Sequence, residues 1–453
     1  MLAIAAVAIW LWTRGGVALA PDDTIVIAQV TNDTGDRVFD EALYTALRVS
    51  LEQTPYLNVL ADNKVRGTLA SIKLDQGTRI TPDVALQVCR RTGSKIVIAP
   101  SIADAGNQLR VELKGIDCQS GTNLRQVAAA TASRDGVVEA LGIIALQLRK
   151  ELGEPAASIA RYNVPLPEAT SRSPEALELL TLGYRRQLAD GSQAAIPFYQ
   201  RAVQADANLA LAHAALSSAY SNLGDSASSA AAGRKAFALR ERLTAPARFS
   251  VESDYYGQVI GDWETTCAIR GRWVQAFPHD LIARNNFAYC LSILGEPDRA
   301  LGESREAARL LPAAFTYRAW IHRSLLADRL DEAQTTIDDA LRRGFDSADL
   351  RDLRVQLAFL RKDAAAMQQE WAWAEGAGAD GVIMCPTIVN NVETLCTIKH
   401  IIAMKPCSMS ETGLWRDSMH SRKFFMPAHA GQFQVEHDDL RTGGRAKLPC
   451  PVQ

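Results

Sequence analysis

The chain has 453 residues, of which 47% are hydrophobic, 7% aromatic and 22% charged, and its formal net charge is −2. That length gives room for about two or three domains, and near-neutrality removes the electrostatic case for a nucleic-acid partner. Its eight cysteines are scattered without a Cys-x-x-Cys pair, which argues against thiolate metal sites. No catalytic residue, cofactor or metal is expected.

Met1 to Trp12 is apolar without interruption and runs into Thr13-Arg14-Gly15-Gly16. It is shorter than the roughly 20 residues of a full membrane span, and it lacks the basic start of a signal peptide. Residues 1–20 read as part of a membrane helix, with Trp10 and Trp12 beside Arg14 suited to the lipid interface. A cleaved signal peptide ending at Ala18-Leu19-Ala20 is the alternative. The folded part is then expected to be membrane-anchored outside the cytoplasm, or periplasmic.

Residues 21–155 carry an α/β pattern. Thr24 to Val30 is apolar and β-branched, a buried strand, and ends in the turn Thr31-Asn32-Asp33-Thr34-Gly35-Asp36. Leu43, Leu47 and Leu51 follow at helical spacing, and Leu57 to Leu60 is a second strand. Thr81-Pro82-Asp83 opens a helix that stops at Gly93. Lys95 to Ala99 is a third strand closed by Pro100, and Gln108–Gly115 with Asn123–Ala130 forms a hairpin. Gly136 to Leu152 is an amphipathic helix. Thr34-Gly35-Asp36 has one glycine where a phosphate loop needs several exposed amides, so it reads as a turn held by Asn32 and Asp33. Cys89, Cys267 and Cys290 lie in helical patterns and read as small buried hydrophobes.

The runs Thr24-Ile25-Val26-Ile27-Ala28, Leu57-Asn58-Val59-Leu60, Gly93-Ser94-Lys95 and Gly115-Ile116-Asp117 resemble a sensor-like domain related to the amino-terminal domain of TolB. In certain bacterial membrane proteins that domain follows a serine/threonine kinase and one membrane helix, and precedes helical repeats. The resemblance implies the membrane-distal part of such a protein. The kinase motifs themselves are absent from the sequence, so no phosphoryl transfer is implied.

Residues 156–172, with Pro165, Pro167 and neighbouring Ser and Thr, read as an extended linker. From Ser173 to Gly376 a helix-pair signature recurs. Gly183, Ala195, Tyr199 and Ala202 are matched one period later by Leu216, Tyr220, Gly224 and Ala236. The pattern returns at Gly261, Trp273 and Pro278, then at Gly295, Ala300, Ala307 and Pro312, and again at Ala333, Ile337 and Ala340. A weaker unit carries Met367, Trp371 and Ala374. This period resembles the tetratricopeptide repeat, a 34-residue helix-turn-helix in which small residues let paired helices approach. An ordinary helical bundle has no reason to keep such a period.

The resemblance implies a solenoid whose first helices line a concave face that takes a protein or peptide. His213, Asn222, Asn285, Asn286 and Arg318 fall on first helices and are the candidate contacts, weighed against a solvated helix face. Asn285-Asn286 is the most specific pair, since amides bond a ligand's main chain.

At about residue 377 the period stops. Gly381 to Leu395, with Cys385-Pro386-Thr387 and Asn390-Asn391-Val392-Glu393, resembles a fragment of the FMN- and NADH-binding subunit of respiratory complex I, as far as Met404. The nucleotide-binding glycines and cluster cysteines of that subunit have no counterparts, and residues 377–453 read as an irregular tail joined by fusion, frameshift or assembly error. Cys407, Cys450, His420, His429 and His437 do not have metal-site spacing. The function expected is a non-catalytic interaction scaffold or sensor module. The alternatives are a transducing fragment of a membrane serine/threonine kinase and, from residues 381–404 alone, an NADH-quinone oxidoreductase subunit.

Overall fold

Thr24–Ile27 (β1) alternates Ile25 and Ile27 on one side with Val26 on the other, and all three are buried. A strand buried on both faces needs cover on both, and it has it. The structure, a computed structural model, describes residues 19–20, 23–75, 77–377, 387–389 and 392–394.

Within this region β1 is flanked by parallel neighbours, Asn58–Val59 (β3) and Ile96–Ala105 (β4). Gln108–Asp117 (β5) and Asn123–Thr131 (β6) extend the sheet antiparallel, giving the order β3-β1-β4-β5-β6, with Thr31–Asn32 (β2) also paired to β4. Helices Val38–Glu52 (α1) and Val137–Glu151 (α4) cover the Ile25/Ile27/Ile96/Ile98 face. Asp62–Ser71 (α2) and Pro82–Thr92 (α3) cover the Val26/Val97 face. The helix opened by Thr81 has its expected cap, Thr81 accepting from the Val84 amide, and its expected stop at Gly93 with φ 75°.

The third strand does not end at Pro100. It runs on to Ala105, because β1 pairs with β4 only as far as Ile98 and β2 takes over at Ser101. Pro100, with no N–H to give, falls in the gap between the two partners. The strand then turns at Gly106, φ 71°, into β5.

Residues 156–172 are not an extended linker. They fold as Ala156–Tyr162 (α5) and Leu166–Ala169 (α6). Arg149, fully buried on α4, donates to both carboxylate oxygens of Glu154 at 2.7 and 2.9 Å and to Asn163 at 3.0 Å. Gln53 accepts from the Val164 amide, and Leu166 lies in the α/β core. Proline and polar content predicted exposure; one buried ion pair supplies a partner that composition cannot show.

Six helix pairs follow: Pro174–Asp190 (α7) with Ser192–Ala205 (α8), Ala210–Asn222 (α9) with Ser226–Ala238 (α10), and Ala245–Asp254 (α11) with Trp263–Ala276 (α12). Leu281–Ile293 (α13) pairs with Pro297–Leu310 (α14), Ala314–Leu326 (α15) with Leu330–Arg342 (α16), and Ala348–Arg361 (α17) with Ala364–Ala377 (α18). The turn inside each pair needs one left-handed residue. Gly191, Gly224, Gly261 and Gly295 supply it, and Asp328 (φ 55°) and Lys362 (φ 59°) take the place in the last two pairs. The third pair is longer because α11 continues into a π-helical segment, Tyr255–Ile260. Ala195, Ala202, Ala300, Ala333 and Ala340 are buried between helices, and at Gly183 any Cβ would collide with the Tyr199 ring. The architecture is an α/β domain followed by an all-α tetratricopeptide solenoid.

The two parts share a core. Leu177 of α7 belongs to the α/β hydrophobic cluster, Thr45 and Thr181 hydroxyls lie 2.6 Å apart, and Arg185 pairs with Glu41 at 2.6 Å.

Cys89, Cys267 and Cys290 are buried, but not as lone hydrophobes. Cys89 is bonded to Cys118 beyond β5, and Cys267 to Cys290, tying α12 to α13, with Cα separations of 5.9 and 5.6 Å. Both pairings span more than 20 residues of chain, and spacing alone does not reveal them.

Of the segment from Gly381 to Met404 only Thr387–Val389 (β7) and Val392–Thr394 (β8) are described, as an antiparallel pair. The rest of that resemblance, residues 1–18, and the tail cysteines and histidines lie outside the described residues. Among the described residues no helix is long and apolar enough to cross a membrane.

Candidate functional site

A first helix of a repeat has one face packed on its own second helix and on its neighbours, and another left over. On α13 the packed face holds Ala283, Ala288, Cys290 and Leu291. The leftover stripe is Ile282, Asn285, Tyr289 and Ile293, of which Ile282 is 63% and Tyr289 50% exposed. On α15 the stripe recurs 33 residues later as Phe315, Arg318, His322 and Leu326. On α17 it recurs once more as Asp349, Asp352, Gln356 and Leu360. Three adjacent helices therefore carry an apolar and amide stripe, a basic stripe and an acidic stripe in register. Ile282, Tyr289, Ile293, Phe315 and Leu326 are the large apolar side chains left exposed on the first two of these stripes.

The charges on these stripes are not all matched. Arg318 reaches Asp349 across the seam, Nη1 to Oδ2 3.1 Å. Arg323, next along α15, is only 7% exposed. Its Nη1 donates to His322 Nδ1 at 2.7 Å, and its Nε has no partner. Burial, with the guanidinium charges of Arg323 and Arg318, pushes His322 down to about 4, so the ring is neutral and accepts at Nδ1. On α17 burial pushes Asp352 up to about 6, aided by Asp349 and opposed by the Gln356 amide. One oxygen of Asp352 has no partner.

The predicted residues divide. Asn285 and Asn286 lie on α13, and Arg318 lies on α15 at the place that matches Asn285. Neither asparagine side chain has a hydrogen-bond partner among the described residues, while the Asn286 carbonyl accepts from Arg270 at 3.1 Å. His213 is 9% exposed, and its Nε2 lies 3.0 Å from the Ala207 carbonyl of its own unit. Asn222 is exposed and donates to Ser192 Oγ at 3.1 Å, on the preceding pair. Tyr289, His322 and Arg323 were missed. Tyr289 and His322 were legible as the 33-residue recurrence of the Asn285 and Arg318 stripes; the burial of Arg323 was not.

A second hollow, of ≈500 Å³, lies between α12 and α14 over α13, floored by Phe287 and Leu291 with Arg272 and Glu303 at its rim. The hollow beside Arg318 runs between Phe315, Tyr317 and Leu350. Among the described residues no cluster of three or more histidines, cysteines or carboxylates is placed to hold a metal ion.

No family model matches the chain, and no curated protein matches its sequence. Solved structures do. A thermophilic tetratricopeptide-repeat protein of Thermus thermophilus is 21% identical, covering 40% of this chain and 97% of its own, with a TM-score of 0.35. The tetratricopeptide-repeat protein YrrB, described as having an unusual peptide-binding site, is 16% identical over 43% of this chain and 90% of its own, TM-score 0.26. The C-terminal domain of LpoB from Salmonella enterica is 15% identical over 27% of this chain and 90% of its own, TM-score 0.24.

Proposed function

We propose that the chain is a non-catalytic binding scaffold whose first-helix face, concave as in a repeat solenoid, holds an extended polypeptide across α13, α15 and α17. The observation that carries this is the register of the three stripes: apolar and free amide groups, then Arg318 with the neutral His322, then the carboxylates Asp349 and Asp352 at matching places on successive first helices. Asn285 and Asn286 suit the main chain of such a ligand, and Tyr289, Ile293, Phe315 and Leu326 suit its side chains. His213 and Asn222 stand outside this surface, each with a partner of its own.

Two disulfides favour an oxidising compartment over the cytoplasm, and an extracytoplasmic scaffold fits them. The second reading is a transducing segment of a membrane receptor kinase, in which the TolB-like domain passes on what the repeats bind. The shared core of α1 and α7 favours it, since a rigid joint carries a displacement better than a tether. The resemblance of residues 381–404 to a complex I subunit adds no activity to this proposal.

The test is selection of a random peptide library on the full chain. Sequences should be enriched that lose binding at least tenfold to the double variant Tyr289→Ala, Leu326→Ser. Enriched peptides that bind that variant as well as the parent would refute the assignment.

A further inference from the structure

Arg323 is a buried cation without a counter-ion. Among the described residues no carboxylate lies within ion-pair distance of it, and the one hydrogen bond of its guanidinium goes to the neutral ring of His322. Arg318 and the Tyr289 hydroxyl are the groups that act on its charge, and Arg318 repels it. Burial with no anion is costly for a guanidinium, and removing one partner of a buried pair strands the other. Arg323 stands in the state that such a removal would leave.

The charge of the surroundings sets what is missing. Arg318 is balanced by Asp349, and His322 is neutral, so the site carries one uncompensated positive charge. A single carboxylate cancels it; a phosphate would leave negative charge against Asp349. By their places along the helices, Ile282 and Phe315 lie towards one end of the site and Ile293 and Leu326 towards the other. A ligand that uses both ends passes through, so its anion comes from a side chain within the segment.

We infer that the seam between α13 and α15 is a receptor for an aspartate or glutamate side chain of an extended partner segment, with Arg323 as the counter-ion and Arg318 and Tyr289 at its sides. This rests on the peptide-binding reading above and names the residue class that the groove selects.

The test uses the full chain and peptides labelled with an uncharged fluorophore that has no carboxylate, capped at both ends, of sequence Leu-Ala-Ala-Glu-Ala-Ala-Leu, with the central Glu replaced in turn by Gln and by phosphoserine. A fourth peptide carries its only carboxylate at a free C-terminus. By anisotropy the Glu peptide should bind at least tenfold tighter than the Gln and phosphoserine peptides and tighter than the chain-end peptide. In Arg323→Met, checked for parental helicity, the Glu peptide should fall to the affinity of its Gln twin, which stays unchanged. Equal binding of Glu and Gln peptides to the parent overturns the inference whatever the variant does, and leaves the groove assignment standing. Preference for phosphoserine or for the free chain end overturns it in favour of those anions. Failure of every peptide to bind at millimolar concentration overturns it also, and the library selection then judges the groove separately.

Discussion

Changing Glu154 to Leu should be among the most damaging single substitutions in the chain, because it strands Arg149. Both side chains are fully excluded from solvent. The carboxylate takes two hydrogen bonds from the guanidinium and one from Ser158. Loss of one partner of such a pair costs about 3 to 5 kcal/mol, since the remaining charge has neither water nor anion. Replacing both, as Arg149→Met with Glu154→Leu, removes the stranded charge and should recover about 2 kcal/mol or more, less what Asn163 and Ser158 lose in hydrogen bonds. Urea unfolding followed by circular dichroism measures both variants against the parent. Burial alone would raise the Glu154 carboxyl, but the hydrogen bonds of Arg149, Ser158 and Thr54 outweigh it and hold the group below its ordinary value. Its contribution is thus present above the unfolded value of about 4.5 and is lost as pH falls through the lower folded one. A single variant within 1 kcal/mol of the parent, or a double variant worse than the single, would refute the account of α5 as a segment locked by this pair.

Gly183→Ala should destabilise by about 1 to 3 kcal/mol by overpacking against Tyr199, measurable as a lowered melting temperature; an unchanged melt would mean that α7 and α8 are further apart than described. Alkylation of the folded, unreduced protein should leave Cys89, Cys118, Cys267 and Cys290 unmodified, and Cys267→Ser with Cys290→Ser should cost about 3 to 4 kcal/mol for a loop of 23 residues. Asp280, capping α13, is pushed up to about 6, chiefly by burial. Its folded value lies above the unfolded one, so its contribution is present at low pH and is lost as pH rises from about 4 to 6. Asp280→Asn keeps the cap and should flatten that part of the stability profile; an identical slope in both proteins would count against the shift.

The repeats were legible because close packing demands small residues at fixed intervals, and Ala195, Ala300 and Ala333 announce themselves whatever the surface does. Turn chemistry was legible for a similar reason: Gly224, Gly261 and Gly295 meet a backbone need that is local. Asp328 and Lys362 hid the same turn, since they adopt a conformation that their side chains disfavour. What the sequence could not give was any feature made by two distant segments meeting. The strand through Pro100 depends on where β1 ends and β2 begins, and the helices in 156–172 depend on Arg149 lying in wait on α4. The candidate site shows the same division. Asn285 and Arg318 could be placed on first helices by counting, whereas the charge imbalance at Arg323 exists only once the neighbours that fail to neutralise it are known.

The joint between α1 and α7 changes how the array should come apart. In a stack where each pair is held mainly by the next, opening costs least at an unsupported end and grows dearer inward. Here the first pair is seated on a folded domain, through Leu177, Thr181 and Arg185. Amides of α7 and α8 should therefore exchange with solvent only when the α/β domain itself opens, and protection should decline with distance from it. Seen this way, the α/β domain acts as a nucleus from which helical order is propagated, and the α13–α15 groove sits three pairs downstream, where the structure can yield to a ligand without unsettling its base.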